Sequence, residues 1–162
     1  MRVIHTIPPV YDVHSRILML GTIPSPKSRE VGFYYGHPQN RFWRIICDLL
    51  GEPYALSPEE RRMVALRHRI ALGDVLASCE ISGAEDASIR EEKPNDLSKI
   101  LSCAPVRMIF TTGAKAAKLY EKYCINQTGM GCIALPSTSP ANCRMSYEQL
   151  KEAYRPILEY LY

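Results

Sequence analysis

What the sequence leaves out narrows its chemistry first. Its six cysteines, Cys47, Cys79, Cys103, Cys124, Cys132 and Cys143, form no Cys-x-x-Cys pair and no Cys/His spacing of the zinc type, so neither a metal site nor an iron–sulfur cluster is expected. The Lys-bearing P-loop and the spaced glycines of a dinucleotide turn are also missing, which argues against nucleoside triphosphates and nicotinamide cofactors. No cofactor is expected. No apolar run approaches the roughly 20 residues needed to span a bilayer, and the amino terminus, MRVIHTIPPVYD, lacks the apolar core of a signal peptide. The expected location is the cytoplasm, with reduced thiols. Internal repeats and low-complexity segments are absent as well.

What remains is ordinary in amount and uneven in distribution. A length of 162 residues with 46% hydrophobic and 23% charged residues suits one compact domain over residues 1–162. Twenty Lys and Arg against 17 Asp and Glu leave a net charge of +3, too small to identify a partner, although a pI near 8.5 tolerates a polyanion. Residues 1–50 carry six basic against three acidic side chains, residues 51–100 seven against ten, and residues 101–162 seven against four. If the two basic ends meet in the fold they form a cationic face for phosphates; otherwise they are solvated surface charge.

The local patterns alternate between strand and helix. Residues 17–20, Ile-Leu-Met-Leu, read as a strand buried on both faces and ended by Gly21. A polar loop follows from Thr22 to Gln39, broken by Pro24, Pro26, Gly32, Gly36 and Pro38. Phe42, Ile45, Ile46, Leu49 and Leu50 then recur at helical spacing, with Asn40 at the helix start and Gly51 at its end. Ser57-Pro58-Glu59-Glu60 opens a second helix by combining an N-cap, a first-turn proline and a Ser/Glu box. Residues 70–76 suit a second strand, 77–94 a mixed polar loop, and a short helix is expected from about Asn95. Residues 106–112 make a third strand, Gly113 turns the chain into a helix over 114–123, and 132–135 give a fourth strand. A breaker-rich loop leads into a helix opened by Ser146 and Gln149, which is expected to bend near Pro156. This order implies a three-layer α/β/α sandwich around a mainly parallel four-stranded sheet, with ligand sites beyond the carboxyl ends of the strands.

Three segments concentrate functional side chains. In Gly21-Thr22-Ile23-Pro24-Ser25, glycine and proline shape the backbone while two hydroxyls are presented, a pattern that suits contact with a base or phosphate and equally a structural turn. Tyr34-Tyr35-Gly36-His37-Pro38-Gln39-Asn40-Arg41-Phe42-Trp43 gathers aromatics, a carboxamide and cations at a helix amino terminus. Its aromatic face can stack on a nucleobase and Asn40 can position a water, although Asn40 serves equally as a cap. Leu135-Pro136-Ser137-Thr138-Ser139-Pro140-Ala141-Asn142-Cys143-Arg144 can hold phosphates through hydroxyls and amides and enter a groove with its Pro-Ala-Asn tip, or act as a strand-to-helix turn. Asp74 and Ser88 could contact a base edge, with capping or turn chemistry as the alternative.

Together, GTIPS, YYGHPQNRFW and LPSTSPANCR resemble the uracil-DNA glycosylase superfamily, in particular its hypoxanthine-DNA (deoxyinosine) glycosylase branch, and HPQNRFW is also similar to the mismatch-specific members. The resemblance runs from Gly21 to the last helix. It implies a uracil-DNA glycosylase-like fold and a monofunctional enzyme that hydrolyses the N-glycosidic bond of deoxyinosine in DNA. Where mismatch-specific members carry Asn and uracil-specific members Asp in the first segment, this sequence has Ile23, which cannot orient water. The resemblance therefore places catalysis on Asn40. It implies a base pocket formed by Gly21, Thr22, Ile23, Pro24 and Ser25 with Tyr35, Gly36 and His37, and Tyr35 as the stacking aromatic. Ser137, Thr138, Ser139, Pro140, Ala141, Asn142 and Arg144 would hold the duplex open. The implied partner is DNA containing deaminated bases, engaged by a monomer on the nucleoid. A uracil or mismatch glycosylase and a noncatalytic damaged-DNA-binding module are the alternatives.

Overall fold

The computed structural model describes residues 1–83 and 85–162. Four parallel strands form its central sheet: β2 (Ile17–Gly21), β3 (Ile70–Asp74), β6 (Met108–Thr112) and β7 (Cys132–Leu135), in the order β3-β2-β6-β7. Every residue of β2 and β3 is buried, which is why β2 reads as an apolar run and β3 as one up to Asp74 at its end.

The strands sort their side chains by parity into two cores. Ile17, Met19, Ile70, Leu72 and Phe110 pack on one face with Phe42, Trp43, Val64, Leu150 and Tyr154. These partners come from α2 (Phe42–Leu50), α3 (Pro58–Arg67) and α7 (Tyr147–Tyr154). Leu18, Leu20, Ala71 and Ile109 point the other way, toward Ile100, Leu119 and Tyr120 of α4 (Ser98–Cys103) and α5 (Ala114–Tyr123). The expected three-layer α/β/α architecture with four parallel central strands is what the chain adopts.

Two parts of the chain depart from the sequence expectation. The strand expected over 70–76 ends at Asp74, and Leu76 with the 77–94 stretch expected as a loop supplies β4 (Leu76–Glu80) and β5 (Arg90–Pro94), which pair antiparallel and join β1 (Arg2–Ile4) in a second sheet of order β1-β4-β5. β5 is a largely exposed edge strand, Arg-Glu-Glu-Lys-Pro, whose charge protects its open side and hides its strand character. The loop expected over 22–39 contains α1 (Pro26–Val31), capped by the Ser25 hydroxyl and closed by Gly32 at φ 83°. The short helix expected from about Asn95 begins at Ser98.

Other boundaries follow their caps. The Ser57 side chain accepts from Glu60 N, and α2 ends at Gly51 with φ 70°. After α7 the chain tightens into a 3-10 segment, Arg155–Tyr160, at Pro156. Helix α6 (Ile125–Thr128) is a single turn before β7. Among the described residues no helix is long and apolar enough to cross a membrane.

The start of α7 fixes where the preceding loop ends. Ser146 Oγ accepts from Gln149 N, and Gln149 Oε1 accepts from Ser146 N at 2.9 Å. Ser146→Ala is expected to lower unfolding free energy by about 1 kcal/mol in urea denaturation, with unchanged slope; an unchanged midpoint would mean that the box adds nothing.

Candidate active site

The parallel strands end together, and the space beyond them is a cleft of about 870 Å³. Gly21 and Asp74 are register partners at the ends of β2 and β3. The backbone there is latched: Val75 N donates to Gly21 O at 2.8 Å and Leu76 N to Thr22 O at 3.0 Å. A Cβ at Gly21 would stand 2.6 Å from Asp74 Oδ1, so only glycine fits beside that carboxyl group.

Asp74 is the buried acid of the cleft. Its side chain is 6% exposed, and Oδ2 lies 2.8 Å from Nε2 of His5, whose side chain is 8% exposed. Burial pushes the Asp74 carboxyl above the ordinary carboxylate range, and the hydrogen bond and charge of His5 oppose this only in part. Asn95 Nδ2 donates to the backbone oxygens of both Asp74 and Leu76, fixing the crossing from one sheet to the other.

Tyr35 closes one wall. Its backbone has φ 53°, a left-handed conformation uncommon for an aromatic residue. Two contacts hold it there. The ring stacks on Phe42 of α2 at 3.8 Å between centroids and 14° between planes, and the hydroxyl is 2.9 Å from Thr112 Oγ1 at the end of β6. Such a stack is worth about 0.5–1.5 kcal/mol beyond burial. Burial and the nearby Asp74 raise the Tyr35 phenol above its ordinary value, so it stays a neutral hydrogen-bonding group. Tyr34 also lines the cleft; its hydroxyl donates to Ile7 O at 3.2 Å.

Asn40 lines the same cleft from the start of α2. Its Oδ1 accepts from Phe42 N at 2.9 Å, an Asx-type bond across two residues, while its own N donates to His37 O. Capping and access to the cleft therefore coexist in one side chain. The oxygen has a second lone pair, and Nδ2 has no hydrogen bond to another described residue.

The structure gathers most of the segments singled out in the sequence and separates a few members. Gly21, Thr22, Ile23, Pro24 and Ser25 line the cleft, with the Ser25 hydroxyl already engaged by Ser28. Gly36 and His37 do not. Gly36 is buried behind the wall, its N donating to Ser28 Oγ, and His37 shapes the turn, its Nδ1 accepting from Gln39 N. From the third segment Ser137, Thr138, Ser139, Ala141, Asn142 and Arg144 line the cleft, and Pro140 does not. Thr138 is 2% exposed, so it supports the loop from within.

Ser88 ties its own turn together, accepting from Ser82 N and donating to Glu85 O. Thr112, Ser28 and the Asp74–His5 pair were not legible as a group. Asp74 and Thr112 share only their positions at strand ends, and His5 reaches the site from outside all three segments.

The charge of the cleft is not that of the cationic face that two meeting basic chain ends would form. Asp74, Glu85 and Asp86 line it, against Arg144 as the basic residue among the described lining. All three acids belong to the acidic middle of the chain, which the β3–β4 crossing brings to the cleft. Among the described residues no cluster of three or more His, Cys, Asp or Glu side chains could hold a metal ion.

Comparison with known proteins points in one direction. A family model described as the Uracil DNA glycosylase superfamily matches residues 8–161. The chain is 36% identical over 147 residues to a protein named hypoxanthine DNA glycosylase from Methanosarcina acetivorans, covering 90% of this chain and 92% of that one. It is 35% identical over 139 residues to a protein of the same name from Methanosarcina barkeri, covering 85% and 87%. A solution NMR structure of a Methanosarcina acetivorans protein, provisionally assigned as a uracil DNA glycosylase, superposes with a TM-score of 0.80 at 32% identity, covering 98% of this chain and 99% of that one.

Two outcomes follow from the strand ends. Gly21→Ala is expected to lose about 1–3 kcal/mol of stability in urea denaturation because the new methyl displaces the Asp74 carboxyl; a neutral result would mean that β2 and β3 separate freely. For Asp74, ionisation is disfavoured in the folded state, so its contribution is complete below the unfolded carboxyl value of about 3.9 and is lost as pH rises through the higher folded value. Asp74→Asn should therefore melt above the wild type at pH 8, with the gap closing toward pH 4. A variant that melts lower at pH 8 would show that the bond to His5 outweighs burial.

Proposed function

The chain belongs to the uracil DNA glycosylase superfamily, and from this premise we propose that it is a monofunctional DNA repair glycosylase that hydrolyses the N-glycosidic bond of deoxyinosine, releasing hypoxanthine and leaving an abasic site. The observation that carries the reading is the meeting of Asn40, the Tyr35 wall and the Gly21-to-Ser25 segment around one cleft at the carboxyl ends of the parallel strands. The cleft exceeds what a single purine base needs. Hypoxanthine as the base is supported by the names of the two Methanosarcina relatives. We further assign it, as a monomer of one domain, to DNA bearing deaminated bases in the cytoplasm.

The reaction separates charge. As the bond between C1′ and the base nitrogen stretches, the sugar becomes oxocarbenium-like and the electron pair moves onto the base. A target base must leave the duplex stack to reach the cleft, at a cost of a few kcal/mol. In our reading the extruded base lies against Tyr35, whose far face is braced by Phe42. Asn40 orients the attacking water through the free lone pair of Oδ1 and through Nδ2. Ile23, on the same cleft, offers an apolar side chain that packs against the second core and takes no part in water activation.

Asp74 bears on the leaving group through its protonation state. A carboxylate beside a base acquiring negative charge would raise the barrier. Burial biases Asp74 toward the neutral acid, which can donate as well as accept. The cost of burying this group in the folded protein thus coincides with what the leaving base requires. Asn142, the other carboxamide of the cleft, uses one Nδ2 proton within its own loop, on Ser137 O at 2.9 Å.

A cleavage assay on oligonucleotides bearing inosine, uracil opposite guanine, xanthine or ordinary bases tests the assignment. Inosine should be excised fastest, and Asn40→Ala should retain binding while losing on the order of 10²-fold in single-turnover rate, equivalent to ~3 kcal/mol. Uracil excision exceeding inosine would reassign the substrate. Binding with every oligonucleotide intact would make the protein a noncatalytic damage-recognition module.

A further inference from the structure

Arg41 follows Asn40 in the chain but does not itself line the cleft; its bonds go to the loop that forms the opposite wall. It is the N-cap residue of α2, whose first turn carries no acidic side chain, a place where a cation is opposed by the helix dipole. No ion pair among the described residues includes it. Its guanidinium is used otherwise. Nη1 donates to Met145 O and Nη2 to Asn142 O, each at 2.7 Å, and the Arg41 backbone N donates to Thr138 O at 3.1 Å. Three bonds from one residue thus grip the chain at 138, 142 and 145, about a hundred residues further along the sequence.

Between those grips the chain projects outward. Pro140, Ala141, Cys143 and Arg144 are exposed, while Thr138 is buried beneath them. Inside the loop Asn142 N donates to Ser139 O, Ala141 N to Ser139 Oγ and Ser139 N to Ser137 Oγ. These bonds set the curvature of the loop. They do not set its distance from α2, which Arg41 spans: its backbone N holds the loop at Thr138, and its guanidinium is the side-chain link to the loop at Asn142 and Met145. The planar fork of arginine can meet two carbonyls at once, which the single ammonium of lysine cannot do with fixed geometry.

We propose that Arg41 is a positioning residue that holds the 138–145 loop at a fixed separation from Asn40, so that the exposed tip occupies the gap left in a duplex when a nucleotide turns toward the cleft. The proposal rests on the glycosylase reading and adds to it a division of labour between neighbours: Asn40 serves the reacting sugar, and Arg41 serves the opened helix.

A comparison of paired and unpaired substrates separates this role from a general structural one. Arg41→Gln should lose about 30-fold in single-turnover excision from inosine paired with cytosine, and about threefold or less from inosine in a single strand, where no duplex has to be held open. Arg41→Lys should fall between wild type and Arg41→Gln, and it carries the same comparison if Arg41→Gln does not fold. Equal losses on both substrates, or no loss on either, would overturn the proposal. An independent readout is the fluorescence of 2-aminopurine placed beside inosine in a duplex, measured in an Asn40→Ala background so that excision does not intervene. The rise on binding should disappear when Arg41→Gln is added. A rise of the same size, or none in Asn40→Ala itself, would also overturn it. Wild-type protein that excises no base would sink the glycosylase reading, and the fluorescence comparison would still decide the role of Arg41.

Discussion

The close approach of two strand ends, Gly21 beside Asp74, is the constraint on which the cleft depends. With no side chain on Gly21, the Asp74 carboxyl lies directly against the backbone of β2 and is shut off from water on that side. The same register sends the chain from Gly21 into the Thr22-to-Ser25 wall and from Asp74 across Val75 into β4. His5 reaches Asp74 because β1 pairs with β4. The parallel β2–β3 pairing thereby defines the wall and the buried acid, and the antiparallel β1–β4 pairing supplies its partner. The packing of the two cores on either side of the sheet keeps the strands from sliding, since a slip of one residue would exchange the faces of Leu18 and Met19.

The central architecture was legible because its signals are local. Buried parallel strands read as apolar runs, and α2, α3 and α7 declare themselves by periodicity and caps. The second sheet was hidden for the opposite reason. β1 has three residues, and β5 is a string of charges whose strand conformation comes from pairing with β4, a long-range contact that leaves no local pattern. Helix α1 was overlooked although Ser25-Pro26 repeats the Ser-Pro opening of Ser57-Pro58, because the prolines and glycines around it outweighed the cap.

The site divides along the same line. Asn40, Tyr35 and the first segment were accessible as contiguous motifs. Gly36 and His37 belong to the same stretch but turn behind the wall, a distinction between neighbours that spacing does not encode. The sequence offers Asp74 as a base-edge contact or a cap, but its pairing with His5, like the roles of Thr112 and Arg41, depends on the strand ends and the loop over 138–145 being in place. Each acts through a partner distant in sequence: His5 for Asp74, Tyr35 for Thr112, and Asn142 and Met145 for Arg41. Membership in a glycosylase superfamily gives these positions a chemical setting, while the contacts themselves come from the fold.

The balance of charge in the cleft bears on how such a protein would meet a polyanion. Acidic residues outnumber basic ones on the lining, so dense phosphate neutralisation does not supply the affinity there. The alternative source is order established during folding. The loop between Pro136 and Arg144 contains no glycine, its Ser137 and Ser139 hydroxyls accept from its own amides, and Tyr154 holds Pro136 O at 2.6 Å beneath it. A segment already fixed loses little conformational entropy when it meets its target, so weak charge attraction is sufficient where shape is prepared in advance. The deformation then falls on the duplex, and it is least where base pairing is already poor. In the role proposed for it, a rigid loop beside a weakly charged cleft would discriminate by how readily a nucleotide leaves its helix, before any atom of the base is read.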